Sequence, residues 1–457
     1  MPRTQPCEIT YGSLVTSAAW ARVRCGVLPS LLLALAMVAP PQVPGQQTPI
    51  QHIIVVFQEN RSTDNLFHDP KLIAEGADIA STGQNSKGKT IRLAAITLAS
   101  NYDLGHSHTS FLKMYDNGRM DGADEESVSC VPHALHCPPR NPQFKYVQAS
   151  DVAPYFQMAE QFTFADHMFQ TNQGASFPAH QFILAGTSAP TATSDFFASG
   201  NPFGVPNAVA DTGCTAPPKE LVQLIDPSGD ENYVQYPCFE HPTLTDLLDN
   251  QGISWRYYTP SGGSMWTAPN AISHIRLGPD WGNVVMQPTQ VLTDIKNGQL
   301  AGVSWVIPTW AESDHSTSQR KLGPSWVASI VNAVGNSPYW ANTAVLISWD
   351  DWGGWYDHVP PQVINSYEYG FRVPLIVVSS YAKQGHISHA THDFGSILKF
   401  TEKVFGLPSL GYADKNADDL FECFDFNQAH KFHKINAPHD VNYFLKHPTP
   451  LEDPDDD

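Results

Sequence analysis

The sequence predicts an α/β fold: a mostly parallel central sheet flanked by helices, with a loop-rich cap insertion. Three observations carry that reading. Continuous β-branched runs of strand length recur along the chain, as in Ile53-Ile54-Val55-Val56-Phe57 and Thr343-Ala344-Val345-Leu346-Ile347-Ser348-Trp349. Such unbroken apolar runs suit strands buried on both faces. Segments with apolar residues at helical spacing, such as Ser325–Val334 and Phe394–Phe405, lie between the runs or follow them. That alternation is the mark of an α/β sheet. Finally, 42% hydrophobic and only 16% charged residues exclude a disordered chain, and Gly and Pro are scattered without a fibrous period.

In chain order, the first 46 residues read as a secretory segment. Arg22 and Arg24 precede the apolar stretch Val27–Ala39, which is too short for a comfortable membrane span. Strands are expected at 53–57, 303–307, 343–349 and 373–379. Helices are expected at 325–334 and 394–405, the latter ending on Gly406 as C-cap. Residues 47–440 form one catalytic-sized domain. The stretch from about 187 to 300, rich in Pro, Gly, Thr, Asn and aromatics, reads as the cap-like insertion. Residues 441–457 form an acidic tail, closing on Leu451-Glu452-Asp453-Pro454-Asp455-Asp456-Asp457. Of seven cysteines, five follow the secretory segment. Cys130 with Cys137 and Cys214 with Cys238 can close loops, leaving Cys423 single, and no C-x-x-C spacing points to a cysteine zinc site.

The formal net charge of -19 argues against a nucleic-acid binder, whose phosphate contacts need clustered Lys and Arg. Without residues 1–46 it becomes -21.

Polar clusters stand at the ends of two expected strands. The first strand runs into Glu59-Asn60-Arg61-Ser62-Thr63-Asp64-Asn65, and the run at 343–349 into Asp350-Asp351-Trp352-Gly353-Gly354-Trp355-Tyr356-Asp357-His358. Open α/β sheets bind ligands at the carboxyl ends of their strands. Carboxylate and amide oxygens suit a hard divalent cation, and adjacent Asp350 and Asp351 are costly without one. Either cluster alone is equally a turn or cap. His106, His241 and His315 lie in polar turns, where imidazoles can meet an anion or carry a proton. Ser176, just before an apolar helix-like segment, is either an N-cap or a hydroxyl aimed at a site beside a helix N-terminus.

These motifs together resemble the bacterial phosphoesterase family of phospholipases C and AcpA-type acid phosphatases, within the alkaline-phosphatase-like superfamily. The resemblance rests on Glu59–Asn65, Asn117–Gly122, Gly174–His180, Ser313-Asp314-His315, Asp350–Pro361, Gly370–Leu375 and His392–Ser396, and spans about residues 50–430. It implies one divalent metal ion held by Glu59, Asn60, Asp350, Asp351 and Ser176, with Ser176 also the nucleophile. It implies that His106, His241 and His315, with Asn60, surround the phosphate. Asp357 and His358 are expected to support or anchor rather than react. Thr63 and Ala179 depart from the family pattern, which bears on the pocket wall more than on the chemistry. The expected activity is exported, metal-dependent hydrolysis of a phosphoester through a phosphoserine, of phosphatase or phospholipase C type. No nucleic acid is expected as partner, and membrane contact only through a lipid substrate. The aromatics Trp255, Tyr257, Tyr258 and Trp266 are either core or an apolar slot for a diester. The competing class is a non-catalytic secreted metal- or carbohydrate-binding protein on the same fold.

Overall fold

The first β-branched run forms strand β1 (His52–Gln58), whose residues from Ile53 onward are all buried. It lies inside an eight-stranded sheet completed by β2 (Thr163–Ala165), β3 (Trp255–Tyr258), β4 (Val284–Val285), β5 (Val303–Val306), β6 (Thr343–Trp349), β7 (Leu375–Ser379) and β8 (His386–Ser388), in the order β4-β3-β5-β1-β6-β7-β2-β8. The computed structural model describes residues 48–205, 211–318 and 320–450. The expected secretory segment and the last seven residues of the acidic tail lie outside the described residues.

All pairings from β4 across to β6 are parallel, as is β2 with β8, so the mostly parallel sheet holds. Strand β7 is antiparallel to both its neighbours, β6 and β2. Its apolar run is as continuous as a parallel strand's, so direction was not readable from composition. The connection decides it: residues 350–374 contain no crossover helix, and parallel neighbours need one.

The expected helices appear as α6 (Gly323–Gly335) and α7 (Phe394–Phe405). Helix α7 starts on a capping box between Asp393 and Ser396 and ends on Gly406 in the left-handed conformation. Other helices used below are α1 (Thr63–Leu66), α2 (His108–Tyr115), α3 (Ala149–Gln161), α4 (Ser176–Ala185), α5 (Leu244–Asn250) and α8 (Val441–Lys446). Helix α8 buries Phe444 against Trp326 of α6, with ring centroids 5.3 Å apart.

The stretch from about 187 to 300 contains a separate three-stranded sheet (Phe197–Ala198, Val222–Ile225, Tyr233–Gln235) and also supplies β3 and β4 to the central sheet. Trp255, Tyr257, Tyr258 and Trp266 are buried in the main core. Cys130 is joined to Cys137 and Cys214 to Cys238, while Cys423 is reduced and buried.

Candidate active site

Strands β1 and β6 pair in parallel along their whole length, from His52 opposite Thr343 to Gln58 opposite Trp349. The next residues, Glu59-Asn60 and Asp350-Asp351, therefore leave the sheet side by side at one edge. Asn60 takes a positive φ of 61°, which Asn tolerates better than most side chains, and its backbone N–H donates to Asp350 Oδ1 at 2.9 Å. The Gly-Gly pair lets the turn after Asp351 fold back on this point. A Cβ on Gly353 would sit 2.4 Å from the Asn60 carbonyl oxygen, and one on Gly354 would sit 2.5 Å from Leu104 Cβ. That close approach carries His106 in with residues 104–105.

Ser176 is the first residue of α4, and Ala175, not Ser176, occupies the cap position. The N-cap alternative therefore gives way. The Ser176 hydroxyl instead donates to Asp351 Oδ2 at 3.4 Å, an oxygen that also accepts from Asn60 Nδ2 at 3.4 Å. Asp351 Oδ1 accepts from the Gly353 N–H at 2.7 Å. His106 Nδ1 donates to the Leu104 carbonyl at 2.8 Å, which turns Nε2 towards Asn60 Nδ2 (3.1 Å) and Asp351 Oδ2 (3.9 Å). The structure thus brings together Glu59, Asn60, His106, Ser176, Asp350 and Asp351, all buried.

His180 joins them without having been singled out. Its Nε2 is 3.1 Å from Glu59 Oε1, and donor atoms of Glu59, His180 and Asp350 lie within 4.8 Å of one another. The signal was present: positions 176 and 180 are one helical turn apart and share a face. Burial holds the His180 ring down to about 4, so it is neutral and fit to ligate or donate.

Electrostatically the cluster is incomplete. Burial first, then Asp350 and Asp351, pushes the Glu59 carboxyl well above its ordinary range. Burial and then Asp350 do the same to Asp351, with His106 opposing. Glu59 Oε2, Asn60 Oδ1 and Asp350 Oδ2 are buried without hydrogen-bond partners. Buried carboxylates with orphaned oxygens are unfavourable unless paired or bound to a cation. The donor set, oxygen-rich with one imidazole in reach, fits a divalent cation.

His315 stands beside this cluster. Its ring lies 6.4 Å from that of His106, with Nε2 3.6 Å from Asp103 Oδ2 and its face against Trp310 at 4.5 Å. Its loop is fixed from below by Arg61, a buried guanidinium that donates to the Asp314 carbonyl at 2.8 Å. His241 has different neighbours. Its Nδ1 is 3.1 Å from the Pro242 carbonyl and its ring 6.2 Å from Tyr412, and its remaining nitrogen is buried without a hydrogen bond. Burial, with His274 as a further opposing charge, lowers its affinity for a proton. Tyr412 lines a cavity of about 420 Å³ to which none of the six clustered residues contributes.

Behind the site, Arg372 is bidentate to Asp357 (2.8 and 3.1 Å) and reaches Asp64 at 3.2 Å. His358 bridges Asp64 (2.8 Å) and Asp78 (3.0 Å). This partly buried network ties the segment after β1 to the segment after β6, the anchoring role expected of Asp357 and His358.

Residues 50–408 match the model of the Phosphoesterase family. The chain is 22% identical to a hemolytic phospholipase C of Pseudomonas aeruginosa, over 88% of this chain and 60% of that relative's length. It is 22% identical to phospholipase C B of Mycobacterium tuberculosis, over 87% of this chain and 81% of the relative. It is 24% identical to non-specific phospholipase C1 of Arabidopsis thaliana, over 79% and 68%. Among solved structures, a protein in the alkaline phosphatase superfamily from Vibrio parahaemolyticus aligns with 82% of this chain at 9% identity, with a TM-score of 0.37.

Proposed function

The chain belongs to the phosphoesterase family, hydrolases of phosphoric esters, and from that premise we propose that it is an exported, cation-dependent phosphoesterase with Ser176 as its nucleophile. The observation that carries the proposal is the Ser176 hydroxyl on Asp351 Oδ2, inside a ring of buried, under-neutralised carboxylates.

Glu59, Asn60 Oδ1, Ser176, Asp350 and Asp351 would hold a divalent cation, which when bound supplies the positive charge that lowers a hydroxyl pKa and draws in an anionic substrate. Ser176 Oγ attacks phosphorus in line and passes its proton to Asp351 Oδ2, the acceptor it already faces. The bond to the leaving oxygen breaks as the new O–P bond forms. Asn60 Nδ2 would donate to the equatorial oxygens, and the His106 ring would join it through Nε2 when protonated, meeting the main demand of phosphoryl transfer. His315, beside His106, is the better-placed acid for the leaving alcohol, and His241 is the alternative. Water then cleaves the phosphoserine, restoring the hydroxyl and releasing phosphate from a monoester substrate or a phosphomonoester from a diester.

Ser176→Ala is expected to lower turnover by about 10³-fold or more with an unchanged melting curve. Near-native turnover in that variant would overturn the assignment. The substrate is a small phosphomonoester or a phospholipid diester. The relatives' names favour the diester, whereas the buried Trp255, Tyr257 and Trp266 leave no aromatic slot there for a lipid. Rates on p-nitrophenyl phosphate and on its phosphorylcholine diester separate the two. An optimum below neutrality would fit the phosphatase reading, and an optimum well above about pH 8 would point to the phospholipase reading. A non-catalytic binding role is disfavoured by the convergence of nucleophile and carboxylates at one point. Among the described residues no helix is long and apolar enough to cross a membrane.

A further inference from the structure

A second cluster of mixed donor chemistry lies on the edge of the sheet. Cys423, the one cysteine among the described residues that lies outside the two disulfides, is buried at the end of the turn Phe421–Cys423. Its Sγ is 3.5 Å from Glu422 Oε1, and His392 Nε2 is 3.7 Å from the same oxygen. Donor atoms of His392, Glu422 and Cys423 all lie within 4.8 Å of one another. A tetrahedral cation with bonds of about 2.0–2.2 Å to nitrogen or oxygen and about 2.3 Å to sulfur separates its ligands by roughly 3.3–3.6 Å. The two measured edges fall close to that spacing.

The surroundings complete the pattern. The other ring nitrogen of His392, Nδ1, lies 2.9 Å from Asp418 Oδ1, an ion-pair contact on the side of the ring away from Glu422. Ser388 Oγ is 3.0 Å from His392 Nε2 and is also bonded to Glu422 Oε1, which puts a fourth donor atom at the same point. His386 Nε2 steadies the other Glu422 oxygen at 3.0 Å. None of these groups belongs to the Glu59–Asp351 cluster.

We propose that His392, Glu422 and Cys423 form a second, structural site for a borderline-soft divalent cation of the Zn²⁺ class, with Ser388 or a water as fourth ligand. On binding, the Cys423 thiol releases its proton to solvent and the thiolate becomes the sulfur ligand. The site joins the turn Phe421–Cys423 to β8 and to the His392–Asp393 strand that follows it. It also hides the one cysteine that, among the described residues, lies outside a disulfide. The proposal stands independently of the catalytic reading.

The test uses the full chain, stripped by chelator and titrated with Co²⁺ and then Zn²⁺. Wild type is expected to bind Co²⁺ with a near-ultraviolet thiolate-to-cobalt charge-transfer band and tetrahedral visible bands. Cys423→Ser should lose the thiolate band and one equivalent of Zn²⁺, whereas Glu59→Gln should keep the band. Asp418→Asn, which leaves every ligand in place, should weaken this site by about 10–100-fold. A cobalt-saturated wild type without a thiolate band overturns the proposal, even if Cys423→Ser fails to fold. So does a Cys423→Ser protein that binds as much Zn²⁺ as wild type.

Discussion

The first residue of α4 shows how little separates a structural serine from a chemical one. One position earlier its hydroxyl would cap the helix; at the first helical position it faces Asp351 instead. Gly353 sets the tolerance of the whole site in the same way. With φ of 61° and a would-be Cβ against the Asn60 carbonyl, Gly353→Ala must strain the backbone or push Asn60 aside. It is expected to cost about 1–3 kcal/mol in urea unfolding and to lower activity at least about tenfold by displacing Asn60. Wild-type stability and rate in that variant would show that the close approach is dispensable. His180→Ala, by contrast, removes no nucleophile and no carboxylate, and should act mainly through weaker cation binding.

At the scale of elements, the site is a property of two strand ends held level. The ion network of Arg372, Asp357, Asp64, Asp78 and His358 holds them so, and it carries a pH signature. Burial works against charge on His358, but Asp64 and Asp357 outweigh it and raise the ring to about 9. A histidine raised in the folded state stabilises fully below its unfolded value near 6.5 and loses that contribution as pH rises towards 9. With part of the ring exposed, the loss is about 1–2 kcal/mol after screening. Wild type should therefore lose stability between about pH 6.5 and 9, and His358→Gln should flatten that decline; parallel curves for the two proteins would refute the coupling. The strand runs and the acidic motifs after them were legible because continuous β-branched residues and the polar turns that follow them are local signals. The direction of β7 was not, because it is set by the missing crossover rather than by its own residues. Nor was the His392–Glu422–Cys423 cluster, whose members meet only through pairing of the sheet edge and lack a compact spacing. For His241 the motif suggests the phosphate, and its described neighbours are Pro242, Tyr412 and the Glu240–Asp246–His274 group.

For the whole molecule, an acidic protein of net charge -19 can serve an anionic substrate only if its charge is handled locally. Glu59 and Asp351 show the demand. Both are raised acids, so without a cation the folded state holds protons that the unfolded chain releases near pH 4. Chelated protein should consequently be most stable at low pH and weaken as pH rises past about 4. Saturating divalent metal should stabilise it more at pH 8 than at pH 5, most cleanly in a Cys423→Ser background. A melting temperature indifferent to metal at both pH values would count against a cation at this site. The parallel pairing of β1 with β6 has one more consequence, for folding rather than chemistry. Asn60 and the Asp350 carboxylate that receives its N–H are 290 residues apart in sequence. Contacts of such separation form late, because the closure of a long loop must precede the reward. A growing chain that stops short of residue 351 has six of the eight strands and the nucleophile, but lacks Asp351 and so has no complete catalytic centre. Activity therefore arises only when the segment from Asp351 onward docks, and a fragment that ends before it is inert.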